Sequence, residues 1–240
     1  MSSIFKFKHF EVDQNGCAMK INTDGVLLAA LANFSLPTVP VIQKTCLDIG
    51  TGTGVMAMVL AQRFPDAFID AVEIDEQASV AAAKNFSNSQ FASRLKVIHA
   101  DITMYNTTSR YDLIVSNPPF FVNDLKNTEA RKSVARHAGE TFFESLLSKV
   151  ATLLTANGQF WVILPVKQAD FLIEKSLHFG LHVTEEIAIH SDETKPVIRK
   201  IISLGRSAAQ VKKENFYIYK EQGIHTDAYK ALLSDFFLAF

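Results

Sequence analysis

Cysteine is scarce: Cys17 and Cys46 are the two thiols of the chain, far apart in sequence and without CxxC spacing. That pattern excludes a disulfide framework and a cysteine-based zinc site, and it fits a reduced compartment. Charge of one sign is lacking too, with 24 Lys and Arg against 25 Asp and Glu for a formal net charge of −1. A globally basic nucleic-acid grip is thereby excluded, and any RNA-binding surface has to be local. No apolar run reaches the roughly 18 residues of a membrane span. The opening MSSIFKFKHFEV alternates charged and aromatic residues with no apolar stretch ahead of a small-residue cleavage site, so it does not read as a signal peptide. The seven histidines contain no HExxH motif. The expectation is a cytoplasmic monomer that needs neither membrane nor metal.

What is present is an ordinary globular composition, 48% hydrophobic and 20% charged, over 240 residues. That length buries a sizeable core. Strand candidates are Lys44 to Ile49, Phe68 to Ile74, Leu95 to His99, Tyr111 to Ser116, Gly158 to Leu164, Leu181 to His190 and Val197 to Leu204. Between them, Val55 to Arg63, Glu76 to Phe86, Thr141 to Leu154 and Lys167 to Phe179 carry apolar residues at helical spacing. The alternation predicts an α/β fold, a mostly parallel sheet with helices on both faces. One domain over 1–240 is expected: a lead-in over 1–43, closed by Pro37 and Pro40, a core over 44–206 and an extension over 207–240. Phe121 to Gly139 is long, polar and charged, the character of a mobile lid.

Cys46 to Gly54 is an apolar strand that runs into Gly50-x-Gly52-x-Gly54 and opens a helix, the context of a nucleotide-binding turn. The same glycines also suit a plain tight turn. About twenty residues on, the next strand ends in Glu73, Ile74 and Asp75, where an acid can accept from ribose hydroxyls. After the third strand, Asp101 is placed either to accept from an adenine amino group, with Ile74 and Ile102 on the two ring faces, or to cap the following turn. Together these elements describe an adenosine site. The third glycine falls one position earlier than GxGxxG requires, which weakens a pyrophosphate-binding, nicotinamide reading.

The most informative stretch is the strand Asp112 to Ser116 ending in Asn117-Pro118-Pro119-Phe120. Prolines remove N–H donors and stiffen the backbone, leaving carbonyls to face a ligand, and Asn117 adds an amide oxygen. An exocyclic amine on an aromatic ring is a poor nucleophile because its lone pair is delocalised. Two fixed acceptors, the Asn117 side-chain oxygen and the Pro118 carbonyl, can hold both amine hydrogens and aim that lone pair at a methyl donor. Phe120 is then placed to stack on the base, an interaction of roughly 1–3 kcal/mol. The bland alternative is a strand-terminating turn with a core Phe.

On these residues the chain resembles the class I, Rossmann-like methyltransferases that use S-adenosylmethionine. Asp48 to Gly54, Glu73, Asp101 and Asn117 to Phe120 stand where that family holds cofactor and amine. More closely, it is similar to the bacterial tRNA1(Val) (adenine-37-N6)-methyltransferases. Phe5 to Phe10 leading to Met19 to Leu28, the Asn-Pro-Pro-Phe turn followed by Arg136-His137, and Tyr229 to Phe240 carry the closer match. The resemblance implies a seven-stranded sheet with the last strand antiparallel. It also implies a Lys20-to-Asp24 segment, Thr23 included, over the methionine end of S-adenosylmethionine. By pattern alone, Thr23-Asp24-Gly25 is equally a helix start with Asp24 as its cap.

Lys126, Arg131, Lys132, Arg136 and His137 follow the Asn-Pro-Pro-Phe turn as candidate contacts to a tRNA substrate, and Lys6, Lys8 and His9 interleave with Phe5, Phe7 and Phe10. An alternating Phe/Lys strand is also what a half-buried strand with solvated lysines looks like. Other planar amines stay open as targets: guanine N2 in rRNA, adenine N6 in DNA, and protein glutamine. A release-factor-type glutamine enzyme would carry a helical substrate domain ahead of the cofactor domain, and about 45 residues precede the first strand here. An inactive S-adenosylmethionine- or RNA-binding module is the non-enzyme alternative, opposed by the intact Asn117, Pro118 and Phe120.

Overall fold

The computed structural model of the protein describes residues 3–15, 17, 20–35, 43–119 and 129–240, with 129–138 described in backbone only. A short antiparallel hairpin, β1 (Ile4–Lys6) and β2 (Glu11–Asp13), leads to α1 (Thr23–Leu31). Then come β3 (Lys44–Ile49), α2 (Val55–Arg63), β4 (Ala67–Glu73), α3 (Glu76–Ser87), β5 (Leu95–His99) and β6 (Tyr111–Ser116). They are followed by α4 (Glu129–Leu153), β7 (Leu154–Leu164), α5 (Val166–Ser176), β8 (His182–His190) and β9 (Val197–Gly205). Last are β10 (Lys212–Tyr217), the small hairpin β11 (Tyr219–Glu221) and β12 (Ile224–His225), and α6 (Asp227–Leu233).

The main sheet has the order β10-β8-β9-β7-β6-β3-β4-β5. Only β9 runs antiparallel to its neighbours β7 and β8; the other pairings are parallel. Side chains alternate across the central strands and feed two cores, because successive residues of a strand face opposite ways. Cys46, Leu113 and Trp161 pack with α1 and α2, while Leu47, Ile114 and Val162 pack with α4 and α5. Covered on both faces, these strands are the near-continuous apolar runs that made them readable.

Three expectations change. The sheet has eight strands, not seven: β10 joins its edge beside β8. Its sequence KKENFY shows no apolar alternation, since the first four residues are exposed and charged or polar, which also blunts the edge against further pairing. Secondly, the stretch expected as a lid is helical from Glu129, so α4 starts well before Thr141. Its polar residues hid the apolar period, yet Ala, Glu, Arg and Lys are good helix formers. Thirdly, β7 begins at Leu154 rather than Gly158, because a register shift against β6 absorbs the turn-like Thr155 to Gly158. A Cβ on Gly158 would meet the Tyr111 carbonyl at 2.7 Å, so glycine is needed there.

The N-terminal hairpin is tied to the core by its aromatics. Phe7 and Phe10 are buried and stacked with centroids 4.4 Å apart. Lys8 Nζ donates to the Ser234 and Phe240 carbonyls at 2.6 and 2.8 Å, and Lys6 pairs with Glu11. Packing and tethering thus use most of the residues that the Phe/Lys alternation offered to RNA. No helix among the described residues is long and apolar enough to cross a membrane.

Candidate active site

Strand register builds the site. Ile49 lies opposite Val72 on one side and Ser116 on the other, and Glu73 lies opposite His99. Gly50, Ile74, Asp101 and Asn117 therefore leave four neighbouring strands at the same carboxyl edge. From β3 the chain builds outward through β4 and β5, then returns to β6 on the far side of β3. Such a reversal opens the crevice in which open α/β sheets bind ligands.

The turn after β3 holds Gly50, Gly52 and Gly54 at φ of 72°, 55° and 85°, the left-handed region that favours glycine. A methyl added to Gly50 or Gly52 would meet nothing within 4 Å, so this face of the turn is open. At Gly54 the same methyl would lie 2.4 Å from the Phe86 ring, so that glycine lets α3 close on the turn. Beneath, Asp48 is fully buried: Oδ2 accepts from the Thr51 hydroxyl at 2.6 Å and the Ala57 N–H at 3.1 Å. Oδ1 has no partner among the described residues. Burial pushes the Asp48 carboxyl up to about 7, against the pull of those two hydrogen bonds. Asn85 braces the turn from α3, donating to the Thr53 and Asp13 carbonyls.

Of the two acids ending β4, Asp75 is consumed as the cap of α3, accepting from the Ala78 N–H at 2.8 Å. Glu73 accepts from Gly52 N–H through Oε2 at 2.7 Å and from Asp75 N–H through Oε1 at 2.9 Å, leaving a lone pair on each oxygen for a ligand hydroxyl. Asp101 Oδ1 accepts from the Thr103 N–H and hydroxyl, both at 2.8 Å, so the turn-capping role is present. Its Oδ2 has no partner among the described residues. Ile74 is 66% exposed beside the turn, whereas Ile102 is buried at 8%. An exposed branched apolar side chain next to three polar ones is a platform for a flat ring.

At the end of β6, Asn117 is half-buried and Pro118 buried. Asn117 Nδ2 donates to Asn22 Oδ1 at 3.3 Å, and its own oxygen accepts nothing among the described residues. The start of α1 abuts it: a Cβ on Gly25 would stand 3.4 Å from Asn117 Nδ2.

Comparison with known proteins names this arrangement. The methyltransferase small domain family matches residues 26–186. The chain is 55% identical to a tRNA1(Val) (adenine(37)-N6)-methyltransferase of Pedobacter heparinus over 240 residues, all of both chains. It is also 38% identical to the protein of that name from Aeromonas hydrophila, over 99% of this chain and 98% of that one. The chain belongs to this methyltransferase family. Among solved structures, a predicted O-methyltransferase of Agrobacterium tumefaciens superposes with a TM-score of 0.63 at 18% identity, covering 89% of this chain and 96% of its own. A TehB-like SAM-dependent methyltransferase of Corynebacterium glutamicum gives 0.51 at 17%, covering 79% and 90%. At such identities the two structures speak to the fold alone.

S-adenosylmethionine is the cofactor of the methyltransferase, and the residues present fit it. The open faces of Gly50 and Gly52, the unpartnered Asp48 Oδ1 below them, the exposed Ile74 and the unused Asp101 Oδ2 offer the donors, acceptors and apolar face that an adenosine with a charged tail requires. Lys20 and Thr23 are exposed at the entry to α1. Asp24 does not cap that helix: the cap is Asn22, whose Oδ1 accepts from the Gly25 N–H at 2.9 Å. Asp24 Oδ2 instead pairs with Arg199 Nε of β9 at 2.8 Å. The sequence reading missed Asn22, although an Asn just before Thr-Asp-Gly is a common cap signal. It missed Arg199 and Asn85 because each acts through a contact distant in sequence.

Phe120 and Lys126 lie outside the described residues. Arg131, Lys132, Arg136 and His137 fall on the first turns of α4, where backbone alone is described. Pro119 is exposed at the end of the turn that follows β6. His178 and His182 stand four apart, but Gly180 at φ 68° separates the turn carrying one from the strand carrying the other. No group of three His, Cys, Asp or Glu among the described residues is placed to hold a metal ion.

Proposed function

We propose that the protein methylates the N6 amine of adenine-37 in tRNA1(Val), acting as a cytoplasmic monomer, with Asn117 and Pro118 as the groups that hold the amine. The observation that carries this reading is the Asn117-Pro118-Pro119 turn at the carboxyl end of β6, beside the open glycine turn of β3 and with the Asn117 oxygen unused among the described residues. The names of the full-length relatives supply the nucleoside and the RNA.

S-adenosylmethionine, when bound, supplies a methyl group on a sulfonium that accepts a nucleophile's lone pair. The chain's own residues prepare the nucleophile. The Asn117 oxygen and the Pro118 carbonyl take one amine hydrogen each, drawing the nitrogen out of conjugation with the ring. As the nitrogen gains its fourth bond it becomes cationic, so both hydrogen bonds strengthen where the barrier is highest. The surplus proton passes to water, because an alkylated exocyclic aminium is a strong acid. An adenine in an unpaired loop costs less to unstack than one in a stem, which suits a position beside the anticodon. Basic residues of the segment after the turn, Lys126, Arg131, Lys132, Arg136 and His137, serve the phosphates.

Incubation with labelled S-adenosylmethionine and unmodified total RNA, then fractionation into tRNA and rRNA, digestion to oligonucleotides that locate the label and to nucleosides that identify it, tests the reading. N6-methyladenosine at position 37 is the expected product. N2-methylguanosine, or label recovered only in rRNA, would replace it with the guanine reading.

A further inference from the structure

We propose that Asn22 is a positioning residue for the reaction: it fixes the Asn117 amide in the one rotational state that presents oxygen to the substrate amine. The inference rests on Asn117 being the acceptor for that amine. A primary amide has oxygen and NH₂ ends of nearly equal size, and a half-turn about its last bond exchanges acceptor for donor. One state can hold an amine hydrogen; the other presents hydrogens to hydrogens. Something outside Asn117 has to break this symmetry.

Asn22 does so because its own orientation is dictated by a helix end. As the cap of α1 it accepts the Gly25 N–H at 2.9 Å, so its oxygen, not its NH₂, must face inward. The same oxygen lies 3.3 Å from Asn117 Nδ2. A flipped Asn117 would set oxygen against oxygen and lose its hydrogen bond. The cap's requirement for an acceptor is thus passed on to the catalytic amide. Gly25 lies close beside the pair: a Cβ there would make ordinary contact, 3.4 Å from Asn117 Nδ2 and 3.5 Å from Met56. The helix end is itself anchored: Asp24 pairs with Arg199, and the Arg63 guanidinium takes the Ala29 and Ala32 carbonyls at the other end of α1. Because β9 runs antiparallel, Arg199 lies near its start and hence at the same edge of the sheet as Asn117.

Two substitutions separate capping from positioning. Ser is as good a cap as Asn, but Asn22→Ser shortens the side chain and installs a hydroxyl that both donates and accepts, so it no longer dictates which end of the amide faces it. Asn22→Asp caps equally well and can only accept. Single-turnover methyl transfer to tRNA1(Val) at saturating S-adenosylmethionine should slow by about tenfold or more in Asn22→Ser, the scale of a lost orientational restraint. The KM for tRNA and the melting temperature should stay near wild type. Asn22→Asp should restore the rate to within about threefold. In the ligand-free protein, the ¹⁵N-labelled Asn117 side-chain amide should exchange its protons slowly in wild type and Asn22→Asp and quickly in Asn22→Ser. A wild-type rate in Asn22→Ser, an Asn22→Asp rate as low as that of Asn22→Ser with melting unchanged, or amide exchange that ignores residue 22 would each overturn the inference. Asn117→Ala in the same assay keeps the two readings apart. Full activity there removes Asn117 from catalysis, whereas impairment there with none in Asn22→Ser removes only the positioning role.

Discussion

Glu73 Oε2 accepts the Gly52 N–H at 2.7 Å, so the acid at the end of β4 holds the glycine turn at the end of β3, and we propose that its remaining lone pairs take the ribose hydroxyls. Removing it should therefore harm the cofactor site twice. Glu73→Ala is expected to lower S-adenosylmethionine affinity at least tenfold and to lower the melting temperature modestly, since a partly buried backbone donor loses its partner, at a cost of about 1 kcal/mol. Asp101→Asn keeps the oxygen that accepts from Thr103 and exchanges only the unused one, so it should weaken the cofactor while melting stays unchanged. Asn117→Ala should leave cofactor affinity within about twofold, because the role proposed for that side chain is to hold the amine. Calorimetric titration of the three variants checks this division, and equal losses in Glu73→Ala and Asn117→Ala would sink it.

Asp48 gives the stability a pH dependence of predictable sign. Its folded carboxyl is pushed up to about 7 from an ordinary value of 3.8, so between those limits the folded chain holds a proton that the unfolded chain has released. This contribution is complete below pH 4 and is lost as pH rises towards 7, at no more than about 1.4 kcal/mol per pH unit for one proton. Asp13, held down to about 2 first by the Asn15 N–H and then by Ser3 and Lys84, acts with opposite sign only below about pH 4. Chemical denaturation from pH 4.5 to 8 should show wild type losing stability relative to Asp48→Asn, which carries no buried charge and still accepts from Thr51 or Ala57. Parallel curves for the two proteins would remove Asp48 as the source.

The three glycines of the turn should separate in their effects. Gly54→Ala strains the backbone by about 1–2 kcal/mol in the left-handed region and drives a methyl against Phe86, so a total loss of about 2–4 kcal/mol is expected. In a Phe86→Ala background the methyl has room, and the increment should shrink to the backbone part, a coupling readable in a double-mutant cycle. Gly52→Ala meets no neighbour, so it should cost little more than the strain while projecting a methyl into the open cradle and weakening S-adenosylmethionine.

The sequence showed these elements unequally, for physical reasons. Central strands such as β3 and β6 are covered on both faces, so their apolar runs and abrupt ends at Gly50 and Asn117 were visible with the right boundaries. Edge strand β10 is bordered by water, and both it and the first turns of α4 carry polar residues that no apolar period marks. Glu73, Asp101 and Asn117 were legible as candidates because each is a polar residue at or just past a strand end, and the structure brings them to one edge of the sheet. Asn22 and Arg199 could not be tied to the site: their partners stand 95 and 175 residues away, and nothing in a single sequence brings those positions together. Asp24 shows the limit most clearly, since its spacing suited a cap and the cap proved to be its neighbour but one.

The most exposed prediction separates chemistry from binding at one side chain. If the Asn117 oxygen holds an amine hydrogen mainly in the transition state, Asn117→Ala should lower kcat by about 10²–10³-fold, the usual scale for one preorganised polar contact at a reacting centre. Affinity for tRNA and for S-adenosylmethionine should fall far less, because neither ground state depends on that bond. Phe120→Ala is expected to behave differently: a stacked base is already stacked before reaction, so binding and rate should fall together. Asn117→Asp offers a third point. It keeps an acceptor in place and adds a charge that favours the developing cation, but it also repels the oxygen of Asn22 across the 3.3 Å that now holds a hydrogen bond. A rate between those of wild type and Asn117→Ala is the expected result. Single-turnover methyl transfer at saturating tRNA and S-adenosylmethionine isolates the chemical step from product release. Should Asn117→Ala turn over there at the wild-type rate, the turn after β6 would not be the catalytic centre, and an inactive or differently directed site would be the better account.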